Sequence, residues 1–324
     1  MNQPDTDRIF AVADDSSFRH EVLALFRFQA EQCEPYRQYL ELIGIKADEV
    51  REVEQIPFLP IGLFKSHNIY CGTEPPEQVF TSSSTGGGVP SRHPMADLRI
   101  YERAFRGAFR HFYGEPSEWS IYGLLPSYLE RKGSSLIYMV DRLIADADGH
   151  GGFYLDDYER LLADIAADPR PKILLGVTYA LLDLAEQYAP DLHDVIVMET
   201  GGMKGRRKEL PKEELHRVLC NAFNVNAIHS EYGMAELTSQ AYSKGGNRFV
   251  APPWMRVITR DLNDPFRLLA TGQRGGINII DLGNVYSCAF IQTEDAGRVL
   301  ADGSFEIAGR IDKSEIRGCN LLVQ

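Results

Sequence analysis

The sequence has little that would mark it for an oxidising compartment, a membrane or a nucleic acid. Its five cysteines (Cys33, Cys71, Cys220, Cys288 and Cys319) are odd in number and widely scattered. No CxxC pair and no cysteine–histidine spacing occurs, which argues against a disulfide framework and a zinc site. The N-terminus, MNQPDTDRIF, lacks the basic-then-apolar form of a signal peptide. The longest apolar run, near 173–184, is too short and too interrupted to span a bilayer. Positive charge is scarce: 34 Lys and Arg against 46 Asp and Glu leave a formal charge of -12. That balance argues against a nucleic-acid or anionic-membrane partner. It leaves room for a small nucleotide, because a local basic cluster such as Lys204, Arg206, Arg207 and Lys208 can sit within an acidic surface. Internal repeats and low-complexity tracts are also missing. A reducing cytoplasm is the expected setting.

What is present is an ordinary soluble composition, 44% hydrophobic and 25% charged over 324 residues, enough for one large or two ordinary domains. One stretch stands out. Five hydroxyl residues, Thr81, Ser82, Ser83, Ser84 and Thr85, run into Gly86, Gly87 and Gly88, followed by Val89, Pro90, Ser91 and Arg92. Glycines bring backbone N–H groups close to a ligand, and hydroxyls rotate to meet phosphate oxygens. A flexible Ser/Gly linker has the same composition, so the rest of the chain must decide between them.

Apolar residues at helical spacing over 17–45 predict an N-terminal helix, ended by Pro57 and Pro60 in IPFLPIGLFKS. DLRIYERAFRGAFRHFY, from Asp97 to Tyr113, predicts a helix directly after the hydroxyl–glycine stretch. A loop feeding a helix N-terminus is suited to receive an anion. Further on, Lys172–Leu175, Val195–Met198 and Val225–Ile228 read as strands, with helices over Thr178–Tyr188 and from Pro211 through Phe223 between them. That alternation predicts parallel βαβ units. Two glycine-bearing loops, ETGGMKGRR and HSEYGMAE, then fall at the carboxyl ends of strands, the edge where such sheets bind ligands. From about Phe249, short alternating segments separated by Gly, Asp and Asn predict an antiparallel, barrel-like subdomain.

Taken together these loops resemble the adenylate-forming superfamily of acyl-CoA and acyl-protein ligases over about residues 55–324. TSSSTGGGVPS is similar to its phosphate loop, usually Thr-Ser-Gly-Thr-Thr-Gly followed by Pro-Lys. EYGMAE matches its Tyr-Gly-x-x-Glu motif, QTEDAGRV falls where it has Thr-Gly-Asp-Leu, and GRIDKSEIRGCN is similar to its Gly-Arg-x-Asp hinge. The segments IPFLPIGLFKSH, LLPSYLERKGSSLIYMV and TGGMKGRRKEL look most like the acyl-protein synthetase (LuxE type) branch, while RGCNLLV is similar to the phenylacetate-CoA ligase branch.

The resemblance implies an α/β fold: a large adenylating domain of stacked, mostly parallel sheets with helices, plus a small antiparallel β-barrel-like subdomain. The α/β nucleotide- and acyl-binding portion would span 1–248, the β-rich part 249–311, and the hinge 312–324, with the C-terminal lid that follows in the family largely absent. It also implies the reaction: a carboxylic acid, fatty or aromatic, and ATP form an acyl-adenylate, whose acyl group passes to a thiol of a protein, a carrier or CoA. The implied cofactors are ATP and Mg²⁺. Ser82, Ser83, Ser84, Thr85, Gly86 and Gly87 would hold the phosphates. Gly201, Gly202, Tyr232, Gly233, Met234 and Ala235 would receive adenine. Asp295 would clamp the ribose with Arg310 beside it, and Glu236 would bind the metal. Thr85, Glu236 and Arg310 are the implied catalytic residues, and Pro126, Ser127 and His229 would line the acyl side. This phosphate loop departs from the family pattern. Serines stand at positions 83 and 84, and Ser91 occupies the place of the customary lysine, with Arg92 carrying a charge one residue on. Three functions fit this reading: an acyl-protein synthetase, an aryl- or acyl-CoA ligase, and a binding module that holds nucleotide or acyl group without completing the ligation.

Overall fold

A computed structural model describes residues 3–83, 88–125, 133–201 and 210–311 of the chain. The N-terminal third begins with three helices, α1 (Thr6–Phe10), α2 (Asp15–Gln32) and α3 (Glu34–Leu42). Asp14 accepts a hydrogen bond from the Ser17 amide at 2.7 Å and caps α2. Phe18, Val22, Leu25 and Phe26 form its buried stripe. The single helix expected over 17–45 is therefore two, because Pro35, near the start of α3, ends the α2 hydrogen-bond ladder.

Next come β1 (Leu59–Pro60) and the short helix α4 (Leu63–Ser66). Strands β2 (Gln78–Thr81) and β3 (Arg92–Met95) pair as an antiparallel hairpin, and in sequence the hydroxyl–glycine stretch falls between them. Helix α5 (Leu98–Tyr113) follows. The central sheet then builds from β4 (Ser120–Leu124), α6 (Ser135–Asp146), β5 (Gly151–Tyr154), α7 (Tyr158–Ala167), β6 (Lys172–Gly176), α8 (Thr178–Tyr188), β7 (Val195–Glu199), α9 (Lys212–Phe223), β8 (His229–Tyr232) and β9 (Ala241–Ser243). Its order is β5-β4-β6-β7-β8-β9, parallel throughout except for β9. The expected βαβ pattern is present, with one shift. The strand expected at Val225–Ile228 lies four residues later, as β8, because the chain first has to leave α9. Asn224 adopts a left-handed conformation there (φ 55) and Val225 donates back to the Cys220 carbonyl at 3.2 Å.

The last part is a curled antiparallel sheet of β10 (Arg248–Phe249), β11 (Met255–Arg260), β12 (Arg274–Asp281), β13 (Phe290–Val299) and β14 (Phe305–Arg310), with β1 pairing in parallel along β13. Gly275 and Gly297 are register partners, and each faces backbone on its outer side: a Cβ on Gly275 would lie 2.1 Å from the Arg260 carbonyl of β11 and one on Gly297 2.0 Å from the Glu306 carbonyl of β14, so neither position tolerates a side chain. Phe26, Tyr36, Phe58 and Phe290 pack ring on ring and seat the N-terminal helices against this sheet. Among the described residues no helix is long and apolar enough to cross a membrane.

Candidate active site

Strands β7 and β8 run parallel, with Met198 opposite His229 and Glu199 opposite Ser230, so the loops that follow them leave from one edge. The second loop, Gly233 to Gln240, is held by buried polar groups that the sequence did not single out. His93 on β3 bonds the Ala235 carbonyl through Nδ1 at 2.8 Å and Ser287 Oγ through Nε2 at 2.7 Å. A carbonyl can only accept, so Nδ1 carries the proton and Nε2 accepts from the serine. Burial pushes His93 down to about 4, so the ring is neutral at physiological pH. Asp281 accepts from the amides of Thr238 and Ser239 at 2.9 and 2.8 Å. Asn284 donates to the Glu236 carbonyl at 2.8 Å. Gln29 of α2 donates to the Asn284 carbonyl at 2.7 Å, which ties the N-terminal helices to the same framework.

On this loop and its neighbours, four of the motif residues come together. Tyr232, the last residue of β8, donates its hydroxyl to Asp295 Oδ2 on β13 at 2.7 Å. Arg310, at the end of β14, lies 4.0 Å from the other Asp295 oxygen, and Asp295 pairs with Arg310 in the sheet register. Burial raises the Asp295 carboxyl, while the Tyr232 hydroxyl and the charges of Arg310 and the buried Arg260 oppose that rise. Glu236 is buried at 6% exposure. Burial raises its carboxyl too; the nearby Ser91 hydroxyl and the charges of Lys65 and Arg310 oppose this. Lys65, on α4, is the cation that sequence reading missed. Its only sequence signal is its place in IPFLPIGLFKSH, and α4 reaches the site because Phe64 packs on the His93 ring, 5.7 Å between centroids.

The phosphate-loop stretch closes at its base, where Ser82 Oγ accepts from the Ser91 amide at 3.0 Å and the Ser82 amide donates to the Ser91 carbonyl at 3.1 Å. Ser83 is exposed at the start of the tip, and Ser84, Thr85, Gly86 and Gly87 lie outside the described residues. Ser91 is buried and faces Glu236, whereas Arg92 is exposed on β3. One expectation is overturned: the loop does not feed a helix N-terminus. Strand β3 intervenes, and the first amides of α5 are taken by carboxylates. Glu77 accepts from the Leu98 amide at 2.8 Å and Asp97 from the Arg99 amide at 2.9 Å. An anion would meet two negative charges there.

At the end of β7, Glu199 is buried and paired with Lys212 of α9 at 2.6 Å. Burial alone would raise this carboxyl, but His216, Lys212 and Ser230 hold it far below its ordinary value. Glu199 Oε2 accepts from the Gly201 amide at 2.7 Å and so fixes the start of the first loop. Lys212 also sits over the Phe249 ring, 4.7 Å from its centroid. Tyr232 packs edge-on to Phe305, 5.6 Å between centroids, so the aromatic cluster joins the two sheets beneath the loops. Gly202 and the basic cluster at 204–208 lie outside the described residues, as do Pro126 and Ser127. His229 lies in β8 rather than in a loop. Its Nδ1 is 3.1 Å from the Tyr113 hydroxyl, and burial together with the Lys244 charge lowers it to about 4. Met234 is half-buried and Ala235 buried. No cluster of three or more His, Cys, Asp or Glu suited to a metal occurs among the described residues.

No family model and no curated protein matches the sequence. Solved structures do match its fold. A 2-hydroxyisobutyryl-CoA ligase in the postadenylation state superposes with a TM-score of 0.70 at 14% identity, over 94% of this chain and 70% of that one. An open conformation of that ligase with 2-HIB-AMP and CoA gives 0.67 at 14% identity, over 93% and 77% of the two chains. ATP-bound MatB from Rhodopseudomonas palustris gives 0.55 at 16% identity, over 72% of this chain. This chain spans about half of MatB, 47% of its length. The chain thus shares the fold of these ligases, a mixed α/β body with a curled antiparallel sheet, as the sequence resemblance implied.

Proposed function

We propose that the chain activates a carboxylic acid with ATP as an acyl-adenylate and passes the acyl group to a thiol. The observation that carries this reading is the meeting of Tyr232, Asp295, Arg310 and Glu236 at one edge of the two sheets. In this reading Asp295 accepts from the ribose hydroxyls, and Tyr232 and the Gly201 loop border adenine. Glu236 suits Mg²⁺, since a buried carboxylate that meets the Ser91 hydroxyl still has lone pairs left for a hard cation. Phosphate oxygens would supply the rest of a sphere that no second described acid provides. The ion would neutralise charge as pyrophosphate leaves. Lys65 and Arg310 add positive charge beside Glu236, where a nucleotide phosphate would bring more negative charge. Lys65 thereby supplies what Ser91 lacks.

Transfer to a protein or carrier thiol, as in the acyl-protein synthetase (LuxE type) branch, is the form the sequence segments favour. Transfer to CoA is the second form, favoured by the likeness in fold to a ligase solved with CoA. The four described cysteines are free thiols, in keeping with a reducing cytoplasm. The test is ATP–pyrophosphate exchange across a panel of fatty and aromatic acids, followed by discharge to CoA or to carrier protein. Acid-dependent exchange is expected; ATP binding without exchange for any acid overturns the ligase reading in favour of a binding module.

A further inference from the structure

Arg260, the last residue of β11, belongs to none of the motifs and is 4% exposed. Its guanidinium donates through Nη1 to the Ile277 carbonyl at 2.7 Å and to Asn278 Oδ1 at 2.9 Å, and through Nη2 to the Thr293 carbonyl at 2.7 Å. All three acceptors are neutral. Burial pushes Arg260 down to about 10 and the charge of Asp295 opposes that fall, so the group is a cation at physiological pH. A buried cation bonded to neutral acceptors costs more to desolvate than an apolar side chain of similar bulk. A use for its fork or for its charge is therefore expected.

Both point to Asp295. Strands β12 and β13 pair Gly276 with Ala296 and then Asn278 with Gln292, so Ile277 alone stands opposite Thr293, Glu294 and Asp295. A bulge of this kind bends its strand and re-aims the side chains on it. Arg260 spans the bulge: one nitrogen holds Ile277 on β12 and the other Thr293 on β13. Thr293 Oγ1 donates to the Ile277 carbonyl at 2.8 Å and accepts from the Asp295 amide at 3.1 Å, which carries the constraint to Asp295 itself. From the bulge Asp295 meets the Tyr232 hydroxyl of the other sheet. Gly276 leaves room for the fork, since a Cβ there would lie 2.5 Å from Arg260 Cζ.

The charges that face Asp295 are Arg260 from β11, Arg310 from β14 and Glu294 of its own strand, with Tyr232 of β8 as its hydrogen-bond donor. The Arg310 side chain is 83% exposed, so salt screens its charge, whereas Arg260 is buried and screened much less. The geometry points to Arg260 as a positioning residue for Asp295: its fork pins the bulge that aims the side chain, and its charge favours the ionised carboxylate that accepts from the hydroxyls of a nucleotide ribose. This rests on the nucleotide-binding half of the proposed function and adds to it the residue that prepares the ribose acceptor. Lysine would keep the charge but lacks the two-armed fork that bridges the strands.

The experiment has two independent readouts on the full chain. The Asp295 carboxyl is titrated by carbon NMR, with Asp295→Asn assigning its signal, and the binding of ATP, 2′-deoxy-ATP and 3′-deoxy-ATP is measured by calorimetry. Wild type is expected to prefer ATP about tenfold or more, as for hydrogen bonds to a charged acceptor. Arg260→Gln should move the Asp295 titration upward and cut that preference to about twofold. Arg260→Lys should leave the titration near wild type and restore only part of the preference. Raising the salt concentration should shrink the effect of Arg310→Gln on the titration and leave that of Arg260→Gln in place. If Arg260→Gln does not fold, Gly276→Ala, whose methyl meets the guanidinium, should act in the same direction. An unchanged titration together with an unchanged preference overturns the positioning role. A titration that moves in Arg260→Gln, in a protein that binds ATP and its deoxy analogues equally or not at all, overturns the ribose reading and leaves the hold of Arg260 on Asp295 standing.

Discussion

Glu231, in β8, and Glu236, in the loop that follows it, are both buried carboxyls, and their surroundings differ in kind. Around Glu236 the chain has gathered compensation: the Ser91 hydroxyl, the charges of Lys65 and Arg310, and a loop backbone pinned by His93, Asp281 and Asn284. Around Glu231 stand Tyr101 and Tyr242, and the negative Glu199 repels it. Lys212 opposes that effect only in part, being paired with Glu199. Burial raises the first carboxyl, and a hydroxyl and two positive charges oppose that rise. The second is raised by burial and by its negative neighbour together, to about 8. Burial alone therefore does not set the role of an acid; the company kept by its oxygens does.

The largest effect expected on this comparison concerns stability against pH. Unfolded, Glu231 ionises near its ordinary 4.5; folded, near 8. Between those values folding takes up a proton, so its contribution is fully present below 4.5 and is lost as pH rises through 8. Glu231→Gln cannot ionise, and its stability relative to wild type should grow over that window to roughly 5 kcal/mol at pH 9. Denaturant titrations at several pH values check this, and parallel curves for the two proteins would remove the contrast.

His93 should act in the opposite direction. Its folded value is about 4 against 6.5 unfolded, so its contribution is present above 6.5 and is lost as pH falls to 4. His93→Gln should flatten that acid limb by about 3 kcal/mol, measured in the same titrations. On activity, Glu236→Ala should reduce acid-dependent pyrophosphate exchange about 100-fold and weaken Mg-ATP binding; unchanged Mg-ATP affinity would take Glu236 out of the site. The smallest effect is expected for Tyr232→Phe, which removes one hydrogen bond to Asp295, about 1 kcal/mol. The readout is nucleotide affinity with ATP and with its ribose-deoxygenated analogues, whose discrimination should change if Asp295 meets the ribose.

Much of this was legible in the chain. The βαβ alternation from Lys172 to Phe223 showed as periodicity, because each element buries its own repeating face. Tyr232, Glu236, Asp295 and Arg310 stood out as short motifs. What stayed hidden depends on contacts distant in sequence. Strand β1 is two residues long and exists only because β13 pairs with it. The strand after α9 was placed early because the apolar Val225–Ile228 belongs to the turn leaving the helix. The anion site expected at α5 failed because Glu77, twenty-one residues from Leu98, caps it. His93, Asp281, Asn284 and Lys65 belong to no motif, and their roles lie in what they touch.

The sequence by itself determined the class of fold, the order of the elements and the residue types at each loop, since local pattern and turn chemistry act over a few positions. Only the tertiary structure decided which of those residues share an environment. Whether a carboxyl is paired, bordered by cations or placed near a like charge is set by segments far apart in the chain. That is the physical reason Glu231 and Glu236, near-identical as letters, come to differ.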